Sequence, residues 1–239
     1  MIEAFALDGV PEVQPGDDLA GVLGHRIDLR PTDVLCVAHK IVSKAEGRVV
    51  DLEAVEPGER ALEWAAQWDK DARAVQVVLD EAAQVVRADA GRIICRTRHG
   101  FVCANAGVDR SNAGRADRAI LLPLDPDDSA RRLRAALGCA VIITDSFGRP
   151  WRIGQTEVAI GCAGIAPLAD YRGETDRDGR EMHASHIAIA DEAACSADLA
   201  RSKAGGQPAV RLRGLEAYVL EEDGPGVAAL VRARGEDLF

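Results

Sequence analysis

The fold is decided by one stretch of the sequence, Ala140-Val141-Ile142-Ile143-Thr144-Asp145-Ser146-Phe147-Gly148-Arg149-Pro150-Trp151-Arg152. Its apolar beginning predicts a strand that is buried on both faces. The polar residues from Asp145 onward form a predicted loop at the C-terminal end of this strand, where ligands bind in many open sheets. Asp145 and Ser146 offer hard oxygen ligands there, and a capped turn is the alternative interpretation.

A second polar segment also follows a predicted buried strand. Residues 33–38 are mostly apolar and lead into His39-Lys40-Ile41-Val42-Ser43-Lys44. The ammonium groups of Lys40 and Lys44 favour anion binding at the strand end, whereas a solvated turn is the alternative. The Gly-x-x-x-x-Gly-Lys-Ser/Thr pattern of a P-loop is absent from the sequence, so a phosphate site has to be built differently.

The third polar segment, residues 99–112, lies between a strand predicted at 91–95 and an apolar run at 119–123. It carries the amides Asn105 and Asn112 and the carboxylate Asp109. Polar loops between buried elements often carry functional sites. Gly, Asn, Asp and Ser also form ordinary turns, so both interpretations stay open for this segment taken alone.

Hydrophobic periodicity and cap residues predict the remaining elements. Further strands are expected at residues 1–7, 48–52 and 209–213. Helices are expected at residues 19–25, 56–68, 75–88, 130–137 and 191–199, followed by a helical tail to residue 239.

The composition excludes several classes of protein. With 239 residues, of which 47 % are hydrophobic, the chain is long enough for a sizeable core. Its net charge of −10 argues against nucleic-acid binding through bulk charge. No apolar run approaches the ~18 residues of a membrane helix, and no signal peptide is recognisable. Six cysteines without Cys-x-x-Cys spacing are expected to be reduced thiols, so we expect a cytoplasmic protein.

Together, the three polar segments supply the groups that phosphoryl transfer needs. Asp109, Asp145 and Ser146 offer oxygen ligands for one or two Mg²⁺ or Mn²⁺ ions. Lysine ammonium groups neutralise phosphates, and charge neutralisation with positioning provides most of the catalysis. Neither a Gly-x-Ser-x-Gly elbow nor Cys/His zinc spacing is present. The residues alone therefore predict a metal- and nucleotide-dependent enzyme.

Seven motifs, in this order along the chain, resemble those of a known family. They are Pro-Gly-Asp-Asp-Leu at 15–19, His-Lys-Ile-Val-Ser-Lys-Ala-Glu-Gly-Arg at 39–48, the whole of 99–112, Leu-Asp-Pro-Asp-Asp-Ser-Ala at 124–130, Thr-Asp-Ser-Phe-Gly-Arg-Pro-Trp-Arg at 144–152, Ala-Ile-Gly at 159–161 and Ala-Asp-Glu at 190–192. Over residues 10–214 the chain resembles the coenzyme F420-0:L-glutamate ligase (gamma-glutamyl ligase) family.

The resemblance implies a GTP-dependent ligase that attaches L-glutamate to the lactyl carboxylate of coenzyme F420-0 and adds further gamma-linked glutamates. The glutamate amine would attack an acyl phosphate made from GTP, releasing GDP and phosphate, with Mg²⁺ or Mn²⁺ and K⁺ required. The resemblance also implies a homodimer with a family-specific α+β fold of mixed sheets, packed helices and no P-loop. Residues 1–239 would form one domain or two intertwined subdomains. The expected partners are small molecules (GTP, L-glutamate and F420-0), without nucleic acid or membrane.

The resemblance further implies roles for individual residues. The nucleotide would contact Val10, Pro11, Glu12, Val13, His39, Lys40, Lys44 and Asn112. Asp109 and Asp145 would hold a first metal ion, and Ser146, where family members generally have Thr, would share a second. The loop at residues 200–206 departs from the family pattern, so its ligand for the second metal is left unassigned.

Two questions stay open at this level. Arg149 and Arg152 are candidate contacts for the carboxylates of F420-0 or glutamate through forked hydrogen bonds, and surface ion pairs are the alternative. The alternative functions are a related nucleotide-dependent amide ligase that acts on another carboxylate, and a non-catalytic nucleotide-binding protein.

Overall fold

Five strands form the main sheet of the structure, a computed structural model that describes residues 1–236 and, of residue 234, only the backbone. In spatial order they are β1 (Glu3–Ala6), β12 (Ala209–Arg213), β2 (Val34–Ala38), β8 (Ala140–Arg149) and β9 (Arg152–Ala163). β2 and β8 run parallel, and the other neighbouring pairs are antiparallel. The sheet is therefore mixed, with its parallel pair next to the β8–β9 hairpin.

The parallel pair lies in the interior because its residues are apolar on both faces. Leu35 of β2 and Ile142 of β8, for example, are fully buried. Four helices add side chains to the same core, namely α1 (Leu19–Gly24), α2 (His39–Ala45), α5 (Pro126–Leu137) and α6 (Ile189–Leu199). Gly161 lets β9 approach α5 closely, since a Cβ there would lie 2.4 Å from the Pro126 carbonyl oxygen.

A smaller antiparallel sheet has a core of its own. It consists of β4 (Ala82–Asp89), β5 (Arg92–Thr97) and β6 (Val102–Ala104), and α3 (Glu59–Trp68) and α4 (Ala72–Glu81) pack against it. Ala61, Val78 and Ile93 are among its buried side chains. Two short ribbons complete the structure, β3 (Val49–Asp51) with β7 (Arg118–Ile120) and β10 (Ala169–Asp170) with β11 (His186–Ile187).

The predicted α+β class with mixed sheets and packed helices is confirmed. The final strand, residues 209–213, lies at its predicted position. The six cysteines are free and five of them are buried, and burial raises the pKa of the Cys36 thiol to about 12. Within residues 1–236, no helix is both long and apolar enough to cross a membrane. The organisation into one domain or two intertwined subdomains stays a prediction.

Two helix predictions are wrong. The helix expected at residues 75–88 ends at Glu81, and the remainder belongs to β4, where Val85 and Val86 are β-branched and the backbone pairs with β5. Pairing with a neighbouring strand overrides the helical repeat of the valines. The expected helical tail contains short 3-10 turns instead, because Pro225 and glycines at positive φ (Gly224, Gly226) interrupt it. Residues 237–239 of that prediction lie outside the described residues.

Two of the three polar segments are more regular than predicted. Residues 39–45 form α2 rather than a turn, and its side chains at Ser43 and Lys44 are buried. The expected loop at residues 145–152 is also wrong, because β8 continues to Arg149 and turns into β9 through Trp151, whose φ is +63°. Hairpin pairing between Ser146 and Glu157 satisfies the backbone there, so the polar residues lie on a strand.

Candidate active site

The parallel pairing of β2 and β8 brings His39 next to Asp145. Ala38 is paired with Thr144, so the next residues, His39 and Asp145, lie side by side. His39 Nε2 lies 3.3 Å from Asp145 Oδ1, and His39 Nδ1 lies 3.3 Å from Ser43 Oγ, one helical turn further along α2. Since the side chains are only 2 % and 16 % exposed, this pair lies in a buried part of the site.

The next residue of α2, Lys40, contacts the predicted metal ligand Asp109. Lys40 Nζ lies 2.7 Å from Asp109 Oδ2 and donates a hydrogen bond of 2.5 Å to Ser111 Oγ. The Ser111 backbone N–H also donates to Asp109 Oδ1. Burial raises the pKa of the Asp109 carboxyl. The hydrogen bonds from Lys40 and Ser111 lower the pKa by more than burial raises it, so the net pKa lies below its usual value. Asp109 is thus held as a carboxylate beside a cation.

The last lysine of α2 contacts the predicted nucleotide loop. Lys44 Nζ lies 2.5 Å from Glu12 Oε1, and Lys44 is buried whereas the Glu12 side chain is 63 % exposed. A backbone hydrogen bond of 2.8 Å from Gly16 to Ala45 holds the loop against the helix. Successive turns of α2 therefore carry ammonium groups toward two different predicted parts of the site.

Ser146 lies in a cluster of charged groups that the sequence did not predict. Its hydroxyl contacts both a carboxylate oxygen of Glu157 on β9 and the ammonium of Lys203. Glu157 is 3 % exposed, and its Oε2 lies 3.1 Å from Nη2 of Arg201, whose side chain is 9 % exposed. Lys203 Nζ lies 3.7 Å from the other carboxylate oxygen and is mostly exposed. The site thus continues from β8 onto β9 and the segment after α6.

Comparison with known proteins decides the family. A family model described as F420-0:Gamma-glutamyl ligase matches residues 9–214. The chain belongs to this family. Two archaeal proteins named Coenzyme F420:L-glutamate ligase show how far the similarity extends: that of Natronomonas pharaonis is 47 % identical over 219 residues, covering 89 % of this chain and 86 % of that protein, and that of Methanopyrus kandleri is 44 % identical over 236 residues, covering 95 % and 93 %.

A third relative is similar over the whole chain. The Coenzyme F420:L-glutamate ligase of Methanothermobacter thermautotrophicus is 42 % identical over 250 residues, covering 100 % of this chain and 98 % of that protein. The resemblance predicted for residues 10–214 is therefore confirmed as membership of the gamma-glutamyl ligase family. The roles of individual residues in nucleotide, metal and substrate binding stay predictions.

The remaining predicted residues of this gamma-glutamyl ligase family member differ in what they can contact. Val13 is 3 % exposed and packs in the main core, so its side chain is not available to a ligand. Asn112 is exposed and has a φ of +57°, a left-handed conformation that asparagine tolerates. Arg149 and Arg152 are paired opposite each other at the exposed end of the β8–β9 hairpin, where Arg149 donates to the Ile153 carbonyl oxygen.

The predicted metal ligands fit a divalent cation chemically. The carboxylates of Asp109 and Asp145 and the hydroxyl of Ser146 are hard oxygen donors of the kind that Mg²⁺ and Mn²⁺ prefer. Each donor already faces a nitrogen group: Lys40, His39 and Lys203, respectively. The three oxygen donors therefore already have nitrogen groups as partners, which a metal ion would have to replace. The binding of metal stays a prediction.

A second group of acidic residues contains none of these donors. Asp51, Glu53 and Asp117 are the only His, Cys, Asp or Glu residues within residues 1–236 whose ligand atoms come within 4.8 Å of one another in a group of three or more. Arg115 binds Asp117 at 2.5 Å, and the Arg115 hydrogen bond lowers the pKa of the Asp117 carboxyl. The Arg115 guanidinium is therefore already paired with one carboxylate of this partly exposed group.

Three residues of the site were missed at the sequence level: Glu157, Arg201 and Lys203. A signal was present for Glu157, because an acidic side chain directly before the apolar run Val158-Ala159-Ile160 has to be paired when its strand is buried. Arg201 and Lys203 lie in the connection after α6, and only the folded chain shows that they reach β8 and β9.

Proposed function

We propose that this chain is a GTP-dependent ligase that joins L-glutamate to the lactyl carboxylate of coenzyme F420-0 and then adds further gamma-linked glutamates. The observation that carries the proposal is the arrangement around α2, where Lys40 contacts Asp109 and His39 contacts Asp145. Relatives named Coenzyme F420:L-glutamate ligase are similar to this chain over nearly their whole length, and this similarity supports the choice of substrates.

The proposed reaction has two steps. An oxygen of the F420-0 carboxylate attacks the terminal phosphorus of GTP, the bond to the bridging oxygen breaks, and GDP leaves. The glutamate amine then attacks the carbonyl carbon of the acyl phosphate, the carbon–oxygen bond to phosphate breaks, and phosphate leaves as the amine gives up its proton. Positioning and charge neutralisation are the main tasks of a protein in the first step.

The proposed role of the lysines follows from the charges of the substrates. A carboxylate and a triphosphate repel each other, so their approach requires fixed positive charge. Lys40 and Lys44 supply it from one face of α2, because they are four residues apart and one helical turn separates them. Binding of phosphate oxygens would replace their present partners, Asp109 and Glu12.

The proposed metal ligands are Asp109 and Asp145 for a first Mg²⁺ or Mn²⁺ ion and Ser146 for a second. When bound, such ions neutralise phosphate charge and polarise the phosphorus–oxygen bonds. His39 would fix the orientation of Asp145 through their 3.3 Å contact. We also propose nucleotide contacts from residues 10–12, from the backbone of Val13 and from Asn112, a K⁺ requirement and a homodimer, on the basis of family membership.

The test is to incubate the purified chain with GTP, Mn²⁺, L-glutamate and F420-0 and to look for glutamate increments by mass spectrometry. One or more increments that require GTP would support the proposal. GDP release with another carboxylic acid, but no increment on F420-0, would favour the related amide ligase. Nucleotide binding without turnover on any acid tested would favour the non-catalytic alternative.

A further inference from the structure

Glu157 occupies an unusual position for a carboxylate. It is 3 % exposed, in a strand whose following residues form the main core. Burying a charge costs several kcal/mol unless other groups compensate for it. The nearest compensation comes from the guanidinium of Arg201, 3.1 Å away, and this side chain is itself 9 % exposed. Such a buried pair adds little net stability, because the cost of removing both charges from water offsets most of their attraction.

The hydrogen bonds of Ser146 determine the direction of its hydroxyl proton. Lys203 approaches Ser146 Oγ with an ammonium group, which can only donate. Ser146 Oγ therefore accepts from Lys203 through a lone pair. The carboxylate of Glu157, flanked by two cations, can only accept. The single proton of the Ser146 hydroxyl consequently points to Glu157.

A hydroxyl held in this way is prepared for a cation. Its proton is directed into the protein, and its oxygen lone pairs face the side from which Lys203 approaches. We infer that Glu157 is a positioning residue that orients the Ser146 hydroxyl as a ligand for a divalent cation. The inference rests on the proposed function, because it takes Ser146 as the metal ligand of that site.

Arg201 and Lys203 have separate tasks in this arrangement. Arg201 neutralises the buried Glu157 and also contacts Asp198 of α6 at 3.2 Å and Thr144 Oγ1 at 3.5 Å, so it ties the segment after α6 to the main sheet. The Lys203 side chain is 71 % exposed. It contacts the lone-pair side of Ser146, so a metal ion bound there replaces its ammonium group.

The orienting role predicts the size of the effect. Groups that hold a metal ligand through a hydrogen bond typically change metal affinity by about 10- to 100-fold when they are mutated. Glu157→Gln keeps the shape of the side chain but can turn an N–H group toward Ser146, which reverses the hydroxyl. Because this variant leaves Arg201 without its partner, Glu157→Gln/Arg201→Met is the version in which no buried charge is left unpaired.

The experiment measures Mn²⁺ binding through the paramagnetic resonance signal of free Mn²⁺, with a non-hydrolysable GTP analogue present. We expect Glu157→Gln and Glu157→Gln/Arg201→Met each to weaken the Mn²⁺ site that Ser146→Ala also weakens, by about 10- to 100-fold. Lys203→Met should bind Mn²⁺ at least as tightly as the wild type, because its ammonium group no longer competes for the lone-pair side of Ser146.

A variant cycle distinguishes orientation from other roles. In the Ser146→Ala background, Glu157→Gln should have no further effect on Mn²⁺ affinity, because Glu157 acts through the hydroxyl. A further loss of the same size would overturn the inference in favour of Glu157 as a direct ligand. Unchanged affinity in Glu157→Gln, with Ser146→Ala impaired, would overturn the inference alone. Absence of Mn²⁺ binding by the wild type would overturn the metal assignment of Ser146 as well.

Discussion

The ammonium group of Lys40 lies 2.7 Å from Oδ2 of Asp109. This contact joins the start of α2 to the loop before β7, and the preceding residue, His39, contacts Asp145 of β8. Three segments that are remote in the sequence thus meet at the first two residues of one short helix. If GTP and metal ions bind here, these residues face the phosphate groups.

The carboxylates of Asp109 and Asp145 are the first target for mutation. Asp109→Asn and Asp145→Asn should each abolish GTP turnover, because an amide keeps the shape but loses the charge that a metal ligand needs. Both variants should keep the wild-type circular dichroism spectrum. The measurement is GDP release over a range of Mn²⁺ concentrations, with Asp89→Asn on the exposed edge of β4 as a control that keeps its activity. Near-normal turnover by either site variant would refute the metal assignment.

Lys44 is predicted to bind phosphate. Lys44→Met should raise the KM for GTP about 10- to 100-fold, since a hydrogen bond to a charged group contributes about 1.5–3 kcal/mol. Its partner Glu12 is largely exposed and is solvated when the ion pair is lost, so stability should change little. Steady-state kinetics check this, with the exposed Lys70→Met as the control. A changed kcat at constant KM would contradict the assignment.

The arginines at the end of the β8–β9 hairpin are predicted to contact a substrate carboxylate. Arg149→Gln and Arg152→Gln should raise the KM for F420-0 or for L-glutamate and leave the KM for GTP unchanged. Both side chains are exposed, so the free energy of unfolding should stay within about 0.5 kcal/mol of the wild type. If both variants keep the wild-type KM for each of the three substrates, Arg149 and Arg152 are better interpreted as surface groups.

Asp33 is predicted to make stability depend on acid pH. It is fully buried and accepts two hydrogen bonds of 2.8 Å from Arg213. The Arg213 hydrogen bond holds the pKa of the Asp33 carboxyl below its usual value of 3.8. The unfolded chain therefore takes up this proton first, and the stabilisation is present well above pH 3.8 and lost as the pH falls through the lower folded-state pKa.

The corresponding variant is Asp33→Asn, measured by urea unfolding at several pH values. It should lose about 1.5–3 kcal/mol of unfolding free energy near neutral pH, the range for hydrogen bonds to charged groups. The difference from the wild type should shrink as the pH falls below 3.8. Asp89→Asn, from an ion pair with both partners mostly exposed, should change little at any pH. A loss that stays constant down to the lowest pH would show that charge is not its cause.

The sequence predicts a helix or strand correctly where its apolar residues fit only one of the two structures. Residues 140–144 of β8 and nearly all apolar residues of β2 and β12 are buried, so their strand assignment needed no tertiary information. The valines at 75–86 fit both a helix and a strand, and only the pairing with β5 decides between the two. The sequence pattern cannot supply a preference that arises from a neighbouring strand.

The sequence indicates candidate residues for the site but not the contacts between them. Asp109, Asp145 and Lys40 were identified from their chemistry, yet the contact of His39 with Asp145 depends on the parallel register of β2 and β8. The contact of Glu157 with Ser146 likewise depends on the hairpin register that pairs the two residues. Such pairings follow from the sheet and not from spacing along the chain.

The most direct test of the account follows the oxygen atoms of the F420-0 carboxylate. F420-0 labelled with ¹⁸O in its lactyl carboxylate is incubated with the chain, GTP, Mn²⁺ and L-glutamate, and the released phosphate and the product are analysed by mass spectrometry. The account predicts a glutamate-bearing product and one ¹⁸O atom in the phosphate released with the first glutamate, because that acyl phosphate forms on the labelled carboxylate and breaks at its carbon–oxygen bond. Formation of the product with only unlabelled phosphate would contradict the acyl-phosphate step, and absence of any glutamate-bearing product would contradict the ligase assignment itself.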